Sequence, residues 1–315
     1  MAILLAGATG TIGQAVAREL TAQGHEVICT LRPGATLPEA GPRTLECRLT
    51  EPGSLSRALN GQRIDAVISC MASRSGAPAD AWAVEHDAQI NLMEEASAAG
   101  ARQFILLSAI CVQKPRLAFQ YAKLAFEQRL IDSGLDFSIV RPTAFFKSLS
   151  GQVARVMEGK PFLVFGDGRQ TACKPISDRD LARFIVGCLT DPDRRGRILP
   201  VGGPGPAVTP LDQADRLFDM LNREPKIRHV PFALMDGIAG TLGLVSRVIP
   251  PLRDKAEFAR TGRYYATESM LIWDDARARY DADATPEFGS DTLWDHYADL
   301  ISGRATTDLG AHAVF

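Results

Sequence analysis

The sequence predicts an α/β chain built on a doubly wound parallel sheet, with a smaller C-terminal lobe. Three observations carry that expectation. The stretch Ile3-Leu4-Leu5-Ala6-Gly7-Ala8-Thr9-Gly10-Thr11-Ile12-Gly13 is a short apolar run and a glycine-spaced turn. An amphipathic segment follows, with Ala15, Val16 and Leu20 on one face and Gln14, Arg18 and Glu19 off it. Short apolar strands then alternate with helical stretches as far as about residue 145, the pattern of a parallel sheet with right-handed crossovers. Beyond that point the alternation fades, and Gly166-Asp167-Gly168 and Gly202-Gly203-Pro204-Gly205-Pro206 punctuate shorter elements. The expected organisation is a first domain over 1–145 and a lobe over 146–315 that shares the same sheet.

Each glycine of the first turn has its own physical role. Gly7 permits a tight turn, Gly10 removes the Cβ that would block a pyrophosphate, and Gly13 lets the helix pack closely on its strand. Free N–H groups at the helix start then face an anion, so Ala8, Thr9, Thr11 and Ile12 join the glycines as expected cofactor contacts. A strand before and a helix after lift the glycine triplet above chance and make this a Rossmann-type NAD(P) site. The second strand, Glu26–Leu31, ends at Arg32, where an acidic residue would favour NAD and an arginine can pair with the 2′-phosphate of NADP. NADPH is therefore the expected cofactor.

A third strand is expected at Leu45–Leu49 and a fourth at Ala66–Cys70, followed by the small residues Met71-Ala72-Ser73-Arg74-Ser75-Gly76. Cys70, Ala72 and Ser73 should approach the cofactor's ribose and pyrophosphate. Asp80–Ala99 reads as a long helix and Phe104–Ser108 as the fifth strand. The sixth, Phe137–Arg141, runs into Pro142, Thr143 and Phe145, expected near the nicotinamide. Ligands of such sheets sit at the carboxyl ends of the strands, where Gly7, Arg32, Cys70 and Ser108 fall.

Composition narrows the function further. The chain has 315 residues, 46% hydrophobic and 23% charged, and a net charge of −2 that offers no footprint for nucleic acid. Its six cysteines form no C-x-x-C pair, so no metal site is expected and most should be small buried residues. The longest apolar candidate, Pro231–Ser246, is interrupted by Asp236 and too short to span a bilayer. The first strand begins at residue 2 or 3, which leaves no room for a leader, so the expected compartment is a bacterial-type cytoplasm.

The Gly-x-x-Gly-x-x-Gly spacing resembles short-chain dehydrogenase/reductase proteins of the extended or atypical kind. In many of these a serine at the end of the fifth strand works with Tyr-x-x-x-Lys on the next helix. Ser108 holds the serine position and Lys123 the lysine, but Phe119 stands four residues before Lys123. Tyr121 lies two residues before it, about 200° round the helix and off its face. The usual phenolic acid is missing, which argues against ordinary carbonyl reduction. Lys123 retains a role at the nicotinamide ribose and, with Ser108, is a candidate catalytic residue.

Three longer strings are more specific than the glycines: 107–115, Val140–Ser148, and Phe165–Gly168 continuing through Cys173–Ser177. With Ser69–Arg74 they resemble the NADPH-dependent divinyl chlorophyllide a 8-vinyl-reductases, a likeness that continues through Gly202–Gly205 and Gly262–Met270 to Ala313-Val314-Phe315. Phe119 and Lys123 fit that family, which carries Phe-Gln-x-Ala-Lys here. This chain departs from it in lacking the long N-terminal extension of plastid members, in Arg48 where relatives tend to show aspartate, and in a shorter link before Leu135.

The resemblance implies reduction of the C8 vinyl group of a divinyl chlorophyllide or protochlorophyllide to ethyl. Hydride addition to the terminal vinyl carbon, with charge spreading into the macrocycle, needs no alkoxide acid, which accounts for the missing tyrosine. The proton donor is left open between Ser108, Cys111 and a bound water. Phe145, Phe146 and Met157 are candidates for an apolar wall, Lys114, Arg116, Lys147 and Lys174 for propionate partners, and Tyr264 and Tyr265 for pocket lining. Phe232–Val248 is read either as a cover for the macrocycle, as a peripheral membrane contact or as a buried core helix. Two rival readings are a non-catalytic NADP-binding redox regulator and an isoflavone- or quinone-reductase-like enzyme.

Overall fold

The computed structural model describes residues 1–38, 41–73, 76–245 and 253–306. Arg74, Ser75, Ser246, Val248 and the closing Ala313–Phe315, all named above, lie outside the described residues. The first half runs β1 (Ala2–Ala6), α1 (Thr11–Ala22), β2 (Glu26–Leu31), β3 (Arg43–Glu46), α2 (Ser54–Leu59) and β4 (Ala66–Ser69). Then α3 (Pro78–Trp82) continues through a π-turn at Ala83–Asp87 into α4 (Ala88–Ala98). After β5 (Gln103–Leu107) come a 3-10 turn (Ile110–Gln113), α5 (Ala118–Ile131) and β6 (Asp136–Pro142).

The second half holds α6 (Phe146–Leu149), α7 (Val153–Met157), β7 (Phe162–Phe165), α8 (Asp178–Gly187), β8 (Arg197–Val201) and α9 (Pro210–Met220). It continues with β9 (Ile227–Val230), α10 (Phe232–Val245), α11 (Arg253–Tyr265), β10 (Ile272–Asp274), β11 (Arg279–Asp281) and α12 (Leu293–Ile301).

Seven strands form one parallel sheet in the order β3-β2-β1-β4-β5-β6-β8. Both faces are covered at its centre, so β1, β4 and β5 are buried nearly end to end rather than alternating. Ile3 and Leu5 of β1 pack toward α1 and α8, and Leu4 faces a second core with Phe104 and Phe126. The order reverses between β1 and β4, and the crevice at that switch point is where the glycine turn emerges. β8, from the second half, closes the sheet beside β6. The remaining lobe has its own core around Phe146, Phe162, Leu217 and Tyr297, with the small parallel pair β7-β9 beside it.

Two expected elements differ in detail. The third strand ends earlier than Leu49, because Glu51 N–H donates to Arg48 O and Ser54 N–H to Glu51 O, turning the chain into α2. Arg48 is exposed, with Glu51 3.7 Å away. The Asp80–Ala99 helix starts at Pro78 and carries the π-turn in its middle. α10 is not a buried core helix: Leu234 is 57% exposed, and its acidic Asp236 binds Arg263 of α11 at 2.5 Å. No helix among the described residues is long and apolar enough to cross a membrane.

Candidate active site

One end of the site is built from backbone. Gly7 adopts φ +82°, and a Cβ on it would lie 2.5 Å from the Cys70 carbonyl carbon. A Cβ on Gly13 would lie 2.1 Å from Gly7 O, so α1 and the turn approach more closely than any other residue permits. Gly10 differs: a Cβ there would meet only Gly7 O, at 3.5 Å, and otherwise enters open space. No side chain caps α1, and its first backbone bond runs from Gln14 N–H to Gly10 O. The N–H groups of Thr11, Ile12 and Gly13 precede that bond and face outward from the helix start, a cradle that fits a pyrophosphate.

Around this cradle Ala8 and Ile12 are buried, while Thr9 and Thr11 are exposed. Lys147, beyond β6, places its Nζ 3.1 Å from Thr11 Oγ1. That position is the helix start, beside the cradle. Arg32 is exposed at the end of β2, and no carboxylate among the described residues pairs with it. Pro142 and Thr143 are buried at the end of β6, the Thr143 hydroxyl donating to Lys174 O, and Phe145 is half-buried against the sheet core.

The other end is built from side chains. Lys123 is buried on α5, and its ammonium donates to Glu85 Oε2 at 2.7 Å. Glu85 sits in the π-turn, which turns its carboxylate inward to full burial. Its other oxygen accepts from Ser73 N–H at 2.9 Å and lies 3.2 Å from Ser73 Oγ, joining the loop after β4 to α5. Ala72 beside it is exposed and Cys70 half-buried. Burial pushes the Cys70 thiol up to about 12, against the pull of the nearby Lys123 ammonium.

One turn further along α5, Glu127 forms a second buried pair with Arg141 of β6. Ser108 donates its hydroxyl to Glu127 Oε1 at 2.5 Å. The 3-10 turn after β5 is tied to the lobe: Tyr264 Oη lies 2.9 Å from Cys111 O and 3.1 Å from Lys114 O. The next residue, Tyr265, brings its hydroxyl to 4.0 Å from Cys111 Sγ. Burial raises both the Cys111 thiol and the Tyr265 phenol above their usual ranges.

Of the four cations considered for a propionate, three are held by protein carboxylates. Lys114 and Arg116 share Glu268 at 2.8 and 3.0 Å, with Lys114 also over the Trp273 ring, and Lys174 binds Glu287 at 2.6 Å. Phe146 is packed in the lobe core and offers no wall, whereas Met157 is 37% exposed. Sequence reasoning missed Glu85, Glu127 and Arg141. A charged residue at a helical register otherwise filled by Ala81, Ala88 and Leu92 was the only trace of Glu85.

The family described as NAD(P)H-binding matches residues 7–192. The chloroplastic divinyl chlorophyllide a 8-vinyl-reductase of Oryza sativa subsp. indica is 44% identical over 99% of this chain and 82% of its own length. That of Arabidopsis thaliana is 44% identical over 98% of this chain and 79% of its own. Among solved structures, a nucleoside-diphosphate-sugar epimerase from Staphylococcus aureus superposes with a TM-score of 0.65 over 94% of this chain and 99% of its own, at 17% identity. That likeness is one of fold.

Proposed function

The chain belongs to the NAD(P)H-binding divinyl chlorophyllide a 8-vinyl-reductase family, and from that premise we propose that it reduces the C8 vinyl group of a divinyl chlorophyllide or protochlorophyllide to ethyl, with NADPH as reductant. The observation that carries this reading is 44% identity maintained over nearly the whole chain. The relatives' names favour neither the regulator nor the quinone-reductase reading. Residues 1–145 hold the dinucleotide and 146–315 supply most of the substrate surface.

The N–H groups at the start of α1 hold the pyrophosphate, and Lys147 adds a cation beside them. Arg32, which pairs with no carboxylate among the described residues, takes the 2′-phosphate. Bound nicotinamide supplies the hydride. Glu85 accepts one of the three Lys123 donors, which leaves two for the ribose and for charge developing on the pigment. Lys123 is buried, so its field acts in a medium where a fixed charge is worth far more than in water. Ser108 acts through Glu127 and Arg141, fixing the end of β5 against α5. A bacterial-type cytoplasm, with the exposed face of α10 resting on a membrane surface, completes the proposal; the two plant relatives are named as chloroplastic.

The test is anaerobic incubation of the purified protein with divinyl chlorophyllide a and NADPH, followed by chromatography and absorption spectra. The expected result is a monovinyl product that needs enzyme and NADPH. Pigment returned unchanged despite tight NADPH binding overturns the reading.

A further inference from the structure

We propose that Tyr265, at the end of α11, is the general acid of this reaction and donates its phenolic proton to the inner carbon of the vinyl group. The inference rests on the vinyl-reductase reading and supplies what that reading lacks, a proton donor. On α5 the residue one turn before Lys123 is Phe119, a ring without a hydroxyl, packed with Cys111, Leu117 and Tyr264. The Tyr265 hydroxyl reaches the same cluster from outside the sheet, 4.0 Å from Cys111 Sγ. A phenol is thus returned to the neighbourhood of Lys123 by a different element.

The other donors nearby are engaged or enclosed. Tyr121 is exposed and its hydroxyl donates to Pro115 O at 3.0 Å. The Tyr264 hydroxyl is held between two backbone carbonyls, and the Ser108 proton is given to Glu127. Cys111 is 2% exposed, whereas Tyr265 is 44% exposed as a residue, with its hydroxyl turned inward to Cys111. Tyr264 also fixes where its neighbour points: the two rings meet edge to face at 90° with centroids 5.7 Å apart.

The charge balance is simple. After hydride has added to the terminal carbon, the electron pair held in the macrocycle forms the new C–H bond at the inner carbon. The Tyr265 O–H bond breaks, and the phenolate recovers a proton from solvent once the product has left. Burial raises the phenol, and the groups facing it work in the same direction: Cys111 of the 3-10 turn, Tyr264 of α11 and Glu85 of the π-turn. The acid form therefore persists at neutral pH.

Tyr265→Phe keeps the ring and removes only the acid. Three measurements compare it with wild type and with Tyr121→Phe as a control. NADPH affinity and the absorption shift of bound pigment should stay within about twofold, while single-turnover vinyl reduction falls by about 100-fold or more. Ultraviolet difference titration of the protein alone should show a phenol, absent from Tyr265→Phe, that ionises above the ordinary value of about 10. Turnover by Tyr265→Phe within about threefold of wild type overturns the proposal. So does pigment binding lost in step with turnover, which makes Tyr265 a wall, and so does a phenol titrating at or below its ordinary value. A wild-type protein that yields no monovinyl product instead sinks the reading beneath it, and the titration can be read without turnover.

Discussion

The phosphate end and the reacting end of this site are made of different material. At the first, three glycines within seven residues let backbone meet backbone, and the contacts to a ligand are N–H groups that any sequence would carry. At the second, Ser73, Glu85 and Lys123 meet from three segments of the chain, with Tyr265 reaching Cys111 beside them, and each contact involves at least one side chain. A backbone site depends on the absence of atoms, so substitutions damage it by adding them. A side-chain site depends on pairing, so substitutions damage it by leaving a partner alone.

The largest effect is expected at the reacting end. Lys123→Met leaves Glu85 buried and unpaired, which should cost about 3–5 kcal/mol of stability by urea unfolding as well as turnover. Pairing it with Glu85→Leu should restore most of the stability and none of the turnover. A single variant as stable as wild type would break the contrast. Next comes Gly13→Ala, whose methyl would sit 2.1 Å from Gly7 O. NADPH affinity by fluorescence titration should fall about 100-fold, ~2.7 kcal/mol, with pigment binding retained.

Arg32→Ala sharpens the contrast, because it removes a side chain from the end otherwise built of backbone. Its NADPH affinity should drop about 10-fold, ~1.4 kcal/mol, with NADH affinity unchanged. Equal losses for both cofactors would sink the 2′-phosphate assignment. Lys147→Ala should weaken NADPH by about threefold at low salt and less at high salt, since an exposed pair is screened.

The smallest effect lies away from both ends. His296 of α12 packs 5.6 Å from the Phe146 ring, and burial lowers its pKa below 6.5. The unfolded chain therefore binds the proton first, and stability is lost as pH falls through 6.5. Melting temperatures of wild type and His296→Asn should converge on acidification, as wild type declines more steeply.

The same contrast explains what could be read from the sequence. Glycine spacing, apolar strands and Arg32 are local patterns, and the sheet places them where the spacing implied. Most strand ends shifted by a residue, and the third strand moved furthest, where the Arg48–Glu51 turn outcompeted the ladder. Lys123 was legible because its distance from Ser108 is short. Glu85 lies 38 residues before Lys123 and Tyr265 lies 154 residues after Cys111, and only the fold brings them together. Lys147 was visible as a cation, but its neighbour Thr11 is 136 residues away, so only the fold shows which end of the site it adjoins.

The π-turn at Ala83–Asp87 has a consequence for how this chain tolerates length changes. Such a turn amounts to one surplus residue lodged in an α-helix. Losing it would let α3 and α4 run as a single regular helix, with Pro78 still at one end and α4 still seated on the sheet. The helix would be straighter and, residue for residue, better bonded. Yet Glu85 would swing by about 100°, away from Lys123 and Ser73. A one-codon deletion here would spare the scaffold and disarm the chemistry, so helix length in this segment is itself a heritable setting of the enzyme.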